Sequence, residues 1–212
     1  MNTATACRSL SLGVAILAAG ASSRMGRPKL LLRWGENSIL GRLLAQWTNL
    51  GAEQTLVVCA ADNRALADEL DRLGFPSGDR VFNPFPERGM FSSIQCAAQW
   101  AGWNPHLTHW AIVLGDQPHL RPTTLQALLD FAAAHPQKIC QPRRQGRARH
   151  PVVLPAKSFR ELADSPDETL RQFLQRRTPD LALCELDDPG LDFDLDTPAD
   201  YERALRLFFN PA

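Results

Sequence analysis

The stretch Leu17 to Leu32, LAAGASSRMGRPKLLL, combines backbone-exposing glycines with fixed positive charge. Gly20 and Gly26 let the main chain approach a ligand and turn N–H groups toward phosphate oxygens, and Arg24 and Lys29 add two cations to the same loop. That is the chemistry of a triphosphate cradle. The stretch matches neither G-x-G-x-x-G nor G-x-x-x-x-G-K-[ST], because Lys29 lies three residues past Gly26 and is followed by Leu30. Taken alone, it also reads as a glycine turn with two solvated cations. Asp116, in Gly115-Asp116-Gln117-Pro118, has the chemistry of a Mg²⁺ ligand, since Mg²⁺ takes one or two carboxylates and completes its shell with phosphate oxygens and water. Gly-Asp-x-Pro is equally good turn chemistry. Asp192, Asp194 and Asp196 alternate with Phe193 and Leu195, so on a strand all three carboxylates share one face, a crowding that calls for a cation. The competing reading has Asp196 or Thr197 capping a last helix with Pro198 in its first turn.

These residues need elements to hold them. Val14-Ala15-Ile16-Leu17 is a short apolar run that predicts a buried parallel strand entering the Ala18-Ala19-Gly20 loop. Ser38 caps a helix carrying Ile39, Leu40, Leu43, Leu44, Trp47 and Leu50 at helical spacing, and Gly51 ends it. A strand Thr55–Cys59 follows, then a helix from Asn63 with Leu66, Leu70 and Leu73 on one face and Gly74 at its end. Arg80–Asn83 predicts a third strand and 92–101 a helix. The run 110–114 predicts a strand delivering Asp116, and Thr123 the cap of a helix with Leu125, Leu128, Leu129 and Phe131. Strands at 138–141 and 152–154 flank a loop bearing Arg143, Arg144, Arg147 and Arg149, with helices at 158–162 and 169–176. Leu181–Leu186, a short segment 193–195 and a helix from Pro198 complete the chain. This alternation predicts one α/β domain: a Rossmann-like three-layer sandwich whose mainly parallel, twisted sheet has helices on both faces. Residues 1–12 read as an N-terminal tail and 13–210 as the domain. In such sheets ligands sit beyond the C-terminal strand ends, after Leu17, Cys59, Asn83 and Leu114.

Composition narrows the function. The 212 residues carry 23 Lys plus Arg against 23 Asp plus Glu, so there is no basic excess for nucleic acid or a membrane surface. Cys7, Cys59, Cys96, Cys140 and Cys184 form no C-x-x-C pair, which fits a reducing cytoplasm. The apolar segment Leu12–Ala21 after Arg8 also has the outline of a signal peptide. No stretch approaches the roughly 18 apolar residues of a membrane span. Trp100, Trp103 and Trp110 offer stacking surfaces for a planar ligand but serve equally as core.

The ordered string Leu17–Leu32 resembles the signature of the molybdenum cofactor nucleotidylyltransferases, the molybdopterin guanylyl- and cytidylyltransferase group, whose fold is that of nucleotide-diphospho-sugar transferases. Asn83 with Gly89-Met90-Phe91-Ser92-Ser93, Gly115–Pro118, His150-Pro151-Val152-Val153-Leu154 and Asp194–Asp200 resemble the family's later motifs in the family's order, over about residues 14–207. The resemblance implies nucleotide contacts from Leu17, Ala18, Ala19, Gly20, Ser22, Ser23, Arg24, Gly26, Lys29, Asn83 and Ser92, with Arg24, Lys29 and Asp116 catalytic. It implies Mg²⁺ at Asp116 with help from Asp194 or Asp196, and substrate contacts from His150 and Pro151. Ala18-Ala19, where guanylyl-specific relatives tend to carry an earlier glycine, resembles the cytidylyl branch. The stretch Asp164–Arg171 departs from the family's glycine-bearing turn in that part of the substrate pocket.

The implied reaction joins CMP from CTP to the phosphate of the molybdopterin cofactor, releases pyrophosphate, and yields the dinucleotide cofactor of molybdenum hydroxylases. A phosphate nucleophile is already ionised at pH 7, so the site needs cations more than a base. The arginine-rich loop offers a receiver for the pterin's phosphate, or else a solvated face. The rivals are GTP in place of CTP, a sugar or alditol phosphate as acceptor, and a non-catalytic chaperone that binds the pterin or a hydroxylase apoenzyme.

Overall fold

The computed structural model describes residues 10–209, and Cys7 lies outside them. In chain order the elements are β1 (Leu12–Ala18), β2 (Arg33–Trp34), β3 (Asn37–Ser38), α1 (Ile39–Asn49), β4 (Ala52–Ala60), α2 (Arg64–Arg72), β5 (Arg80–Asn83), α3 (Met90–Gln99) and β6 (His109–Leu114). Then follow α4 (Pro122–Ala134), β7 (Ile139–Arg144), β8 (Arg147–Ala148), β9 (Val152–Pro155), α5 (Ala156–Glu161), α6 (Leu170–Gln175), β10 (Leu181–Glu185) and α7 (Pro198–Phe209).

The helix starts follow the chemistry of their caps. Ser38 Oγ accepts the Gly41 N–H at 3.0 Å, Asn63 Oδ1 accepts that of Leu66 at 3.1 Å, and Thr169 with Gln172 forms a reciprocal capping box. The fourth long helix departs from expectation. It begins at Pro122 rather than after Thr123, because proline suits a first helical position, and Thr124 instead donates its hydroxyl to Asp188 at 2.6 Å.

The main sheet runs β10-β7-β9-β6-β1-β4-β5, with β8 paired to β7. β1 is parallel to both β4 and β6, and β4 is parallel to β5. β9 enters antiparallel between β6 and β7, which local sequence does not signal because Val152–Leu154 is as apolar as its parallel neighbours. Alternation along β1 builds the two outer layers. Val14, Ile16 and Ala18 join the core under α1, α2, α4 and α7, and Ala15 and Leu17 join the core under α3, α5 and α6. The run that resembles a signal peptide is thus an inner strand, and the strand already includes Leu12, which is fully buried, so the core reaches into the segment expected to be tail. Among the described residues no helix is long and apolar enough to cross a membrane.

The three tryptophans are packing residues. Trp110 stacks on Phe159 at 4.7 Å, and Trp103 meets Trp100, Trp110 and Phe159 edge-on. None is left as a platform for a planar substrate.

Candidate active site

The chain lays down β1, then β4 and β5 outward on one side, and only later places β6 on the other side of β1. The order reverses at β1/β6, and in open α/β sheets the ligand crevice opens at such a point. The loop leaving β1 carries Arg24 and Lys29, and the loop leaving β6 carries Asp116.

The first loop is built to expose its cations. Ser22 and Gly26 take left-handed backbone angles, with φ 50° and 69°, around a short 3-10 turn whose Met25 is buried. Ser22 Oγ accepts the Lys29 N–H at 3.2 Å and closes the loop on itself. Gly115 admits the second loop: a Cβ there would stand 2.9 Å from Leu30 Cδ2 and 3.1 Å from the Leu17 carbonyl oxygen.

Charges converge between the loops. Lys29 Nζ lies 3.3 Å from both Asp116 Oδ2 and Asp196 Oδ1, and Arg24 Nη1 lies 3.0 Å from Asp196 Oδ2. Lys29 is 14% exposed and Arg24 71%, so lysine forms the floor and arginine the rim. Around them opens a cavity of about 320 Å³ lined by Leu17, Ala18, Gly20, Ser22, Ser23, Gly115 and these charged groups. A second cavity of about 480 Å³ shares Ala18 and Gly20 with it and extends past Ala19 to Ala60, Asp62, Asn63 and Glu87.

The residues fit a divalent cation in part. Asp116 Oδ1 is buried without a hydrogen-bond partner, a costly state that an arriving cation would relieve. Burial, then the charges of Asp116 and Asp196, raise the pKa of Asp194 above the ordinary carboxylate range. Among the described residues no three His, Cys, Asp or Glu side chains are arranged as a complete metal cage. A cation here would depend on two carboxylates and fill its shell with phosphate oxygens and water, as Mg²⁺ and Mn²⁺ tolerate.

The acidic segment differs from a strand. Residues 189–192 form a 3-10 turn and 193–196 run without a sheet partner, so the three carboxylates diverge. Asp192 turns away to pair with Arg144 and Arg149, and only Asp194 and Asp196 approach Asp116. The competing roles at the last helix are divided. Thr197 Oγ1 accepts the Asp200 N–H at 3.2 Å while Asp200 accepts that of Thr197 at 2.9 Å, which leaves Asp196 for the charged cluster.

Three residues that the sequence did not single out hold this segment. Gln117, buried, donates from Nε2 to Asp194 Oδ1 at 3.1 Å. His119 Nε2 donates to the Gly190 carbonyl at 3.0 Å, and Asp188 Oδ1 accepts the Gly190 N–H at 2.9 Å. Their only signal in the sequence is nearness to Asp116 and Asp194.

Other expected contacts fall elsewhere. Asn83 is 1% exposed and lines none of these cavities; its amide donates to Ser92 Oγ and Ser93 Oγ at 2.7 and 2.9 Å, and its oxygen accepts the Phe85 N–H. Asn83 and Ser92 therefore brace the end of β5 against α3. Gly26 shapes the loop without lining either cavity. Arg143 pairs with Glu185, and Arg144 and Arg149 with Asp192, so the arginine loop is largely neutralised. Arg147 has no ion pair among the described residues and lines a third cavity, of about 680 Å³, with Arg149, His150, Arg171, Met90 and Leu174. Pro151 is buried beside that cavity rather than lining it. Burial pushes His150 down to a pKa of about 4 despite the opposing charge of Asp194, so it is neutral at pH 7. Cys59 and Cys140 are buried and pushed up to about 11 and about 12, so they stay protonated and are poor ligands.

Two oppositely charged loops meeting where the strand order reverses define a nucleotidyltransferase of the doubly wound α/β class. Residues 14–181 match the family model described as the MobA-like NTP transferase domain, and the chain belongs to that family. It is 31% identical over 204 residues to a molybdenum cofactor guanylyltransferase of Rhizobium johnstonii, covering 90% of each chain. Among solved structures, Rv0371c of Mycobacterium tuberculosis H37Rv superimposes with a TM-score of 0.76 at 27% identity, over 93% of this chain and 98% of that one. A structure of Rv0371c in complex with manganese shares the fold, with a TM-score of 0.66 at 23% identity over 92% and 98%.

Proposed function

We propose that the protein transfers a nucleotidyl group from a nucleoside triphosphate to the phosphate of a molybdenum-cofactor pterin and releases pyrophosphate. The observation that carries this reading is the meeting of Lys29, Arg24, Asp116 and Asp196 in one cavity, with a larger arginine-lined cavity whose His150 feels the charge of Asp194. An acceptor phosphate oxygen attacks the α-phosphorus, and the bond to the bridging oxygen of the pyrophosphate breaks. Lys29, Arg24 and the N–H groups around Gly20 neutralise charge that builds on the phosphoryl oxygens. A divalent cation held by Asp116, with Asp194 or Asp196, would supply further charge neutralisation; Mg²⁺ is the ion we assign, and the manganese in the mycobacterial relative supports a divalent ion. His150, neutral at pH 7, would orient the acceptor rather than take its proton, and Arg147 and Arg149 would receive the acceptor's anionic groups.

For the base we favour CTP. Ala18 is buried where the two smaller cavities meet and Ala19 is buried against the second of them, and their methyls occupy space that glycines would leave open. GTP is the second reading, favoured by the guanylyltransferase at 31% identity. We place the protein in the cytoplasm, its dinucleotide product destined for a molybdenum hydroxylase apoenzyme.

The test measures pyrophosphate release with Mg²⁺, molybdopterin cofactor and CTP, GTP, ATP or UTP in turn, with Asp116→Ala as the blank. Release with CTP and loss in the blank are expected. Release with GTP alone would overturn the Ala18-Ala19 argument and leave the mechanism. Silence with bound nucleotide would redirect the search to sugar or alditol phosphates, and silence without nucleotide binding would favour the chaperone.

A further inference from the structure

We propose that Lys29, seconded by Arg24, serves the nucleotide-free protein as the cation of its own carboxylate cluster, so that nucleotide and divalent ion each remain weak ligands until the other is present. The proposal rests on the reading of this loop as the triphosphate cradle and of Asp116 and Asp196 as carboxylates for a divalent ion.

The geometry behind it is the sharing of Lys29. Its ammonium is 3.3 Å from Asp116 and 3.3 Å from Asp196, and the second oxygen of Asp196 is 3.0 Å from Arg24. Two of the loop's three cations, Lys29 and Arg24, are therefore engaged by the carboxylates that a divalent ion would use. With Asp194 counted, three carboxylates face two cations and leave one negative charge in excess. A triphosphate arriving alone must draw Lys29 and Arg24 away and leave three carboxylates uncompensated beside its own charge. A divalent ion arriving alone meets carboxylates already paired, with an ammonium between them. Together they exchange partners: the phosphates take the lysine and arginine, and the carboxylates take the metal. Such coupling is reciprocal by thermodynamic necessity.

The loop can make this exchange without losing its seat. Ser22 Oγ holds the Lys29 backbone N–H, not the side chain, and Arg27 lies 5.7 Å over the Tyr201 ring, so neither anchor uses the two exchanging groups.

The experiment reads binding in place of turnover. Nucleotide-free wild type, Lys29→Gln and Lys29→Met are titrated with Mn²⁺ followed by electron paramagnetic resonance, with thermal unfolding as the check on folding. Wild type and Asp196→Asn are titrated with CTP and with GTP in EDTA by calorimetry. Arg27→Gln controls for the loss of a positive charge nearby. The Lys29 variants should bind Mn²⁺ at least about tenfold more tightly than wild type or Arg27→Gln, and Asp196→Asn should bind metal-free nucleotide at least about tenfold more tightly than wild type. Mn²⁺ affinity unchanged in both folded Lys29 variants, a gain matched by Arg27→Gln, or unchanged metal-free nucleotide affinity in Asp196→Asn would overturn the proposal. Nucleotide binding without these shifts sinks the coupling alone, whereas absence of nucleotide binding with and without Mn²⁺ sinks the underlying functional reading too.

Discussion

A carboxylate in this protein is defined by the cation it faces. Asp116 and Asp196 hold Lys29, while Asp192, two and four residues before Asp194 and Asp196, faces the other way and holds Arg144 and Arg149. Asp192 therefore pairs with an arginine of the cavity that the proposed function assigns to the acceptor. Its Oδ1 takes the Arg149 Nε–H at 2.7 Å, and both arginines lower its pKa. Asp192→Asn weakens this charge-assisted pairing and frees Arg149 to move within the arginine-lined cavity. The expected result is an acceptor KM raised about three- to tenfold, as follows from a loss of about 0.7–1.4 kcal/mol of positioning, with nucleotide KM unchanged. Steady-state kinetics with each substrate varied separately checks it, and equal changes in both KM values would contradict the division of labour.

At the scale of elements, the site depends on how close two loops come. Gly115 ends the run from β6 under Leu30 and the Leu17 carbonyl, where a methyl has no room. Gly115→Ala should lower kcat by at least about tenfold, because displacement of Asp116 by a fraction of an ångström breaks a preorganised charge arrangement. Circular dichroism should show the fold retained; unaltered turnover in the variant would show that the approach is not needed. Trp110 in β6 is a different kind of residue. It is buried and stacked on Phe159, so Trp110→Ala should cost about 3–5 kcal/mol in urea unfolding. In the protein that remains folded, substrate KM values should be unchanged, since the indole contacts core and not cavity. A specific rise in acceptor KM would restore the stacking role that its packing denies.

The whole molecule carries its buried histidines in the neutral form. Burial lowers His109 and His119 below the ordinary histidine range and takes His150 from 6.5 to about 4. Because the unfolded chain binds these protons first, stability is full above about pH 6.5 and falls as the pH drops toward 4. Urea midpoints at pH 7.5 and 5.0 should differ, with the lower value at pH 5.0, and His150→Gln should reduce that difference; a midpoint independent of pH would refute the assignment.

The same molecule shows where sequence stops. The alternation of apolar runs and capped helices, the cationic glycine loop and the aspartate after the 110–114 run were legible because each depends on local rules: side-chain period, caps and turn geometry. So was the set of motifs that marked the family. Local rules are silent on sheet order, and so the antiparallel entry of β9 was hidden. They did not show that the Asn83 amide is engaged by Ser92 and Ser93, because a buried asparagine that satisfies its neighbours looks in sequence like one that awaits a substrate. They gave Asp192, Asp194 and Asp196 one face, because an alternating pattern does not say whether a sheet partner exists to enforce it. The residue types fixed which charges the protein has; the meeting of Lys29 with carboxylates 87 and 167 residues away was decided only by the tertiary structure, since ion pairing depends on distance in space and the chain's path sets that distance.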